Sequence, residues 1–135
     1  SILGAAFFRN ISQGLYTTAL SNWYPDFLDA DNYIYHFLDC AKGSPETGCE
    51  EGGSQSQGSF FYSQEMNQLI SQSRRESNPA KRKQIFGKIQ EILADEVPYI
   101  PLWQTKEYAF ARNGITGVII NPSQTFPFWT IAKKS

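Results

Sequence analysis

Asn22-Trp23-Tyr24-Pro25-Asp26-Phe27-Leu28-Asp29-Ala30-Asp31-Asn32 is the most informative stretch of the chain. It follows Leu15-Tyr16-Thr17-Thr18-Ala19-Leu20, a run of strand formers that ends at the turn-like Ser21-Asn22. Pro25 pushes Tyr24 out of the helical region, so the stretch reads as a strand end meeting a proline turn. Trp23 and Asp26 stand three residues apart across that turn. A carboxylate beside an indole suits a ligand ammonium: one gives a charge-assisted hydrogen bond, the other a cation–π wall. On composition alone, Trp23 as core and Asp26 as a turn residue is the simpler reading. Asp29 or Asp31 then caps a short helix through Tyr33-Ile34-Tyr35-His36-Phe37-Leu38.

Outward from the turn, residues 39–59 read as a long Gly-, Ser- and Gln-rich loop holding both cysteines, Cys40 and Cys49. Their spacing is not C-x-x-C, so neither a thioredoxin motif nor a zinc knuckle fits. A disulfide is the preferred reading and implies an oxidising compartment; two free thiols in a surface loop are the alternative. Ser63 caps a helix with Met66, Leu69 and Ile70 at helical spacing. Asn78-Pro79 opens a stronger helix, whose Ile85, Phe86, Ile89, Ile92 and Leu93 form one apolar face; Pro98 ends it. Short strands are expected over 99–103, 108–111 and 118–120, and the apolar start at residues 1–8 reads as a strand entered in mid-course. The chain is mixed α/β.

The 135 residues carry a net charge of −1, which argues against a nucleic-acid partner. The charge is uneven: residues 26–51 hold seven acids and one lysine, and residues 74–88 hold six bases and one acid. The basic run reads as the solvated face of a helix. No apolar run is long enough to cross a membrane. His36 is the only histidine and has no Ser or Cys arrangement around it, so a catalytic triad is not arguable. Asp26 and Asp29 raise glycoside hydrolysis, which needs two carboxyls roughly 5–9 Å apart, but acidic turn residues are common. The acidic run also hints at calcium, yet it lacks the glycine and the distal Glu of an EF-hand loop.

The ordered series of these segments resembles the oligopeptide/dipeptide/nickel-binding family of extracytoplasmic solute-binding proteins. Trp23-Tyr24-Pro25-Asp26-Phe27-x-Asp29-x-Asp31-Asn32 is similar to its W-x-x-D-[YF]-x-D-P-x-N segment, with Ala30 in place of the usual proline. Phe61 to Ile70, Asn78 to Leu102, Gly117 to Pro122 and Phe128-Trp129 resemble later family segments in the same order. The resemblance implies the last quarter of a two-lobed type II periplasmic-binding fold. Residues 1–104 would belong to the second lobe, and 105–135 would return across the hinge to the first. It implies a receptor without catalysis or cofactor, taking a small-molecule or peptide ligand and handing it to an ABC-transporter permease. Location would be periplasmic or extracellular, with membrane contact only through the transporter or an upstream lipid anchor. Asp26 matches the residue that receives a peptide's α-amino group; Trp23, Asn22, Tyr24 and Trp103 would line the ligand. The disulfide Cys40–Cys49 is also in keeping with some dipeptide binders. A sensor or adaptor module of the same fold, or a carboxylate hydrolase, are the alternatives.

Overall fold

The computed structural model describes residues 4–123 and 125–134. They divide into two compact units, Ser1–Trp23 with Asp29–Ile100, and Tyr24–Leu28 with Pro101–Ser135.

The first unit is built on three helices, α2 (Asp31–Leu38), α4 (Gln64–Arg75) and α5 (Pro79–Glu96). The apolar spacing read in α4 and α5 is the packing face. Ile34 and Leu38 of α2 meet Met66, Leu69 and Ile70 of α4 and Ile89 of α5, with Ile85, Phe86, Ile92 and Leu93 around them. Leu38, Met66, Ile70 and Ile89 are fully buried, each contributing about 1.5–3 kcal/mol. The starts follow the expected chemistry. Ser63 Oγ accepts from the Met66 amide at 3.1 Å, and Asn78 Oδ1 accepts from Ala80 and Lys81 at 3.0 and 3.1 Å, with Pro79 in the first turn. At α2 the N-cap is Ala30, and Asp29 Oδ1 accepts the Asp31 amide at 2.8 Å from one residue further out.

The expected loop over 39–59 is more ordered than its composition suggests. Strands β1 (Lys42–Ser44) and β2 (Gly48–Glu51) form an antiparallel hairpin, followed by the short helix α3 (Gly53–Ser56). Cys40 and Cys49 are bonded, with Cα atoms 5.6 Å apart. Packing there is tight enough to require glycine. A Cβ on Gly43 would lie 2.3 Å from the Gly48 carbonyl oxygen and 3.1 Å from Cys40 Sγ. The Asn67 side chain ties this region to α4, accepting from the Cys40 amide at 3.0 Å and donating to its carbonyl at 2.8 Å.

Several expected strands are absent. From Gly4 the start of the chain is a helix, α1 (Gly4–Ser12), with Ile11 buried; residues 1–3 lie outside the described residues. Ala5 and Ala6 favour helix, and Phe7 and Ile11 share a face four residues apart, a pattern that a short apolar run hides. Residues 15–20, 99–103, 108–111 and 118–120 form no strand. An apolar run becomes a strand only when a neighbouring strand takes its backbone N–H and C=O groups, and none of these runs is paired in a sheet among the described residues.

In the second unit, β3 (Ile115–Thr116) pairs antiparallel with β4 (Ala132–Lys133). The Lys134 amide donates to the Gly114 carbonyl at 2.7 Å. The Thr130 hydroxyl, in the 3-10 turn Phe128–Thr130, donates to the Gly117 carbonyl. Leu102, Trp103, Tyr108, Phe110, Phe128 and Trp129 are all exposed. The whole is mixed helix and sheet, with helix dominant in the first unit.

Candidate functional site

The motif around the proline turn is divided between the units. Asn22 and Trp23 lie in the first, and Tyr24, Asp26 and Trp103 in the second. Asn22, Tyr24, Asp26 and Trp103 are exposed; Trp23 is half-buried. Cys40 and Cys49 are buried in the hairpin of the first unit.

Trp23 is held by several groups at once. Its Nε1–H donates to Asn32 Oδ1 at 2.8 Å. The ring packs against His36, centroids 4.9 Å apart, and edge-on to Phe37 at 5.3 Å. Asn32, His36 and Phe37 all come from α2, so the indole is docked on the helix that begins just after its own turn. His36 is thereby a packing partner of the motif tryptophan.

The two carboxylates at the end of the motif are committed to arginines. Asp29 takes both terminal nitrogens of Arg82, Nη2 to Oδ1 at 2.7 Å and Nη1 to Oδ2 at 2.8 Å. This fork, with the Asp31 amide beside it, holds the Asp29 pKa down at about 2. Such a carboxyl stays ionised and is no general acid near neutrality, and Arg82 occupies both of its oxygens. Asp31 Oδ2 accepts from Arg74 Nε at 3.1 Å, and the Arg74 guanidinium lies over the Tyr35 ring at 3.9 Å. Both acids therefore face arginine cations, an arrangement that serves internal pairing and not a common calcium ion.

The basic run on α4 and α5, read from sequence as a solvated face, thus supplies two arginines to ion pairs with the motif. Arg82 had a signal. It precedes Ile85, Phe86 and Ile89 by three, four and seven residues and so shares their face. Arg74 had the same kind of signal, following Met66 and Ile70 by eight and four residues.

Two depressions in the surface of the first unit lie elsewhere. One, of about 330 Å³, is lined by Tyr35, Asp39, Asn67, Ile70, Ser71, Arg74 and Arg75. Burial pushes the Asp39 carboxyl up there, and the Arg74 charge partly opposes it. The other, of about 430 Å³, runs along α4 past Gln64, Asn67, Gln68, Ser71 and Gln72. Neither includes a residue of the expected ligand site.

No family model matches the chain. Among known proteins it is 28% identical over 121 residues to "Di/tripeptide-binding protein 4" of Pseudomonas aeruginosa, covering 90% of this chain and 21% of that protein. It is 28% identical over 127 residues to the "Probable D,D-dipeptide-binding periplasmic protein DdpA" of Escherichia coli, covering 91% and 22%. It is 27% identical over 105 residues to the oligopeptide-binding protein OppA of Bacillus subtilis, covering 78% and 17%. The chain spans about a fifth of the length of the curated relatives it matches.

Proposed function

We infer that this chain, a relative of the extracytoplasmic solute-binding proteins of the oligopeptide/dipeptide family, is part of a peptide receptor that serves an ABC transporter. The observation that carries the reading is the set of peptide-binding relatives, which match across 78–91% of the chain. The Cys40–Cys49 bond supports an oxidising, extracytoplasmic location. No helix among the described residues is long and apolar enough to cross a membrane.

In this reading the protein has two lobes that close on the ligand. Residues 1–104 belong to the second lobe, and residues 105–135 return to the first. Closing would hide the ligand from water, and a permease would recognise the closed form. The receptor performs no catalysis. Asp26 supplies the counter-charge for a peptide's α-ammonium, which in a partly dry cleft would be costly to leave unpaired. Asn22, Trp23, Tyr24 and Trp103 line the same ligand.

The test is titration of the full-length protein with a randomised tripeptide library, read as occupancy by native mass spectrometry. Binding by the wild type is expected. Asp26→Asn, which keeps shape and removes charge, should weaken it by about 30-fold or more. An Asp26→Asn protein that binds as well as the wild type would exclude the amino-anchor role.

A further inference from the structure

The five residues Tyr24–Leu28 are bounded by Trp23 and Asp29, and both boundary residues are tied to the helices of the first unit. Trp23 is fixed through Asn32, His36 and Phe37 of α2. Asp29 is fixed by the Arg82 fork. The Nε–H of Arg82 is engaged as well, donating to the Ser73 carbonyl near the end of α4 at 2.9 Å. Its guanidinium lies 4.9 Å from the Phe86 ring centroid, one helical turn along α5. A single planar cation therefore joins the end of α4, the start of α5 and the exit of the motif turn. The side chains of Arg82 and Asp29 are 28% and 33% exposed, so water screens the pair only in part.

We propose that Arg82 is a positioning residue for the ligand turn, holding Tyr24–Leu28 in binding geometry through its bidentate bond to Asp29. The proposal rests on the reading of that turn as the ligand-contacting segment. A fork–fork bond fixes direction as well as distance, and a binding group must be held to within a fraction of an ångström to keep its affinity. Lysine keeps the charge of arginine but is a point donor and cannot reproduce the fork. Stability and positioning should therefore separate. Arg82→Lys should recover much of the stability lost in Arg82→Gln, yet little of the affinity.

The experiment uses the full-length protein, the randomised tripeptide library and native mass spectrometry, at a temperature where each variant is fully folded by circular dichroism. Arg82→Gln, Arg82→Lys and Asp29→Asn should each lower affinity on the order of tenfold. The Asp29→Asn/Arg82→Gln double variant should be no weaker than either single one, because both remove the same bond. Lys88→Gln, on the exposed side of α5, should bind as the wild type does. With 5-fluorotryptophan incorporated, the Trp23 resonance, assigned through Trp23→Phe, should shift or split in the Arg82 variants and stay put in Lys88→Gln. A folded Arg82→Gln protein with wild-type affinity and an unmoved Trp23 resonance would overturn the proposal. If that variant does not fold, wild-type affinity in Arg82→Lys would do the same. Loss of binding in the Arg82 variants with none in Asp26→Asn would leave the clamp standing and remove the amino anchor instead. A wild type that binds no peptide would remove both.

Discussion

Arg82 reaches from the first turns of α5 across 53 positions of sequence to grip both carboxylate oxygens of Asp29 at 2.7 and 2.8 Å. Asp31, two residues on, is gripped in turn by Arg74 of α4. Two acids of the motif are thus paired with two arginines of the helices.

The Asp29 carboxyl should make stability depend on acid. Its pKa is lowered from 3.8 to about 2 by folding. A depressed acid contributes stability that is fully present above the unfolded value and lost as pH falls toward the folded one. The full shift corresponds to roughly 2.4 kcal/mol, and screening of this partly exposed pair reduces it to about 1–2 kcal/mol. Urea unfolding of the wild type should therefore lose that increment between about pH 4 and pH 2. Asp29→Asn should lack it at neutral pH and lose correspondingly less over the acid range. An unchanged acid slope in Asp29→Asn would show that the pair is energetically idle.

Reduction should loosen the hairpin without releasing it. Closing the loop between Cys40 and Cys49 stabilises by about 2.5–3 kcal/mol in the chain-entropy model, and Cys40→Ser/Cys49→Ser should lose about that much. Asn67 still grips both backbone groups of Cys40. Removing it by Asn67→Ala should cost about 1–3 kcal/mol, since a partly buried amide and carbonyl lose their partners. Denaturant melts of the single-site and cysteine variants, alone and combined, measure both. Hydrogen exchange should show the Cys40 amide protected after reduction in the wild type and unprotected in Asn67→Ala. Equal protection in the two reduced proteins would refute this account.

Helices α2, α4 and α5 were legible because their signals are local, whereas α1 was read as a strand and α3 as loop. Ser63, Asn78 and Pro79 act on amides two or three residues away, and the α4 and α5 stripes repeat at the helical period. The strands were not, because pairing depends on a partner. Tyr108–Ala111 and Val118–Ile120 are apolar enough for strands, but the pairing in this part of the chain goes to Ile115–Thr116 with Ala132–Lys133. Residues 39–59 held the opposite error. Their Gly and Ser content hides a hairpin whose close approach demands glycine at Gly43. In the motif, residue types were readable, but the engagement of Trp23 with α2 and of Asp29 with Arg82 was not. Those contacts span 9 to 53 positions, and the helical period that puts Arg82 on the packing face does not name its partner.

Helix α5 should tolerate improvement at two positions. A Cβ at Gly87 would meet nothing within 4 Å, so Gly87→Ala should add about 0.5–1 kcal/mol by restricting the unfolded chain. Val97, which caps the same helix, sits in the left-handed region with φ 46°. That conformation is unfavourable for a β-branched residue, and Val97→Gly should add about 1 kcal/mol. The two sites are ten residues apart, so the gains should sum in thermal melts. Destabilisation by Gly87→Ala would mean that the open space beside it is filled in solution.

Expressed by itself, the 135-residue chain should self-associate. In the second unit Trp103 and Tyr108 are each 70% exposed, Trp129 86% and Phe110 94%. Single exposed apolar residues are ordinary, but this many large exposed aromatics within one short segment are expected to be covered in the working protein. In the proposed receptor the cover is the rest of the first lobe, to which residues 105–135 would belong and which other parts of the full-length protein would supply. Light scattering coupled to size exclusion should show mass rising with concentration, and a hydrophobic dye should bind. Phe110→Ser with Trp129→Ser should lower both signals while changing stability by less than about 1 kcal/mol, because exposed side chains contribute little to folding. The same pair of substitutions in the full-length receptor should instead be costly, at about 2–3 kcal/mol or more, if each ring is buried there. A monodisperse monomer at high concentration, with the double variant equally harmless in both contexts, would show that these aromatics face water in the working protein.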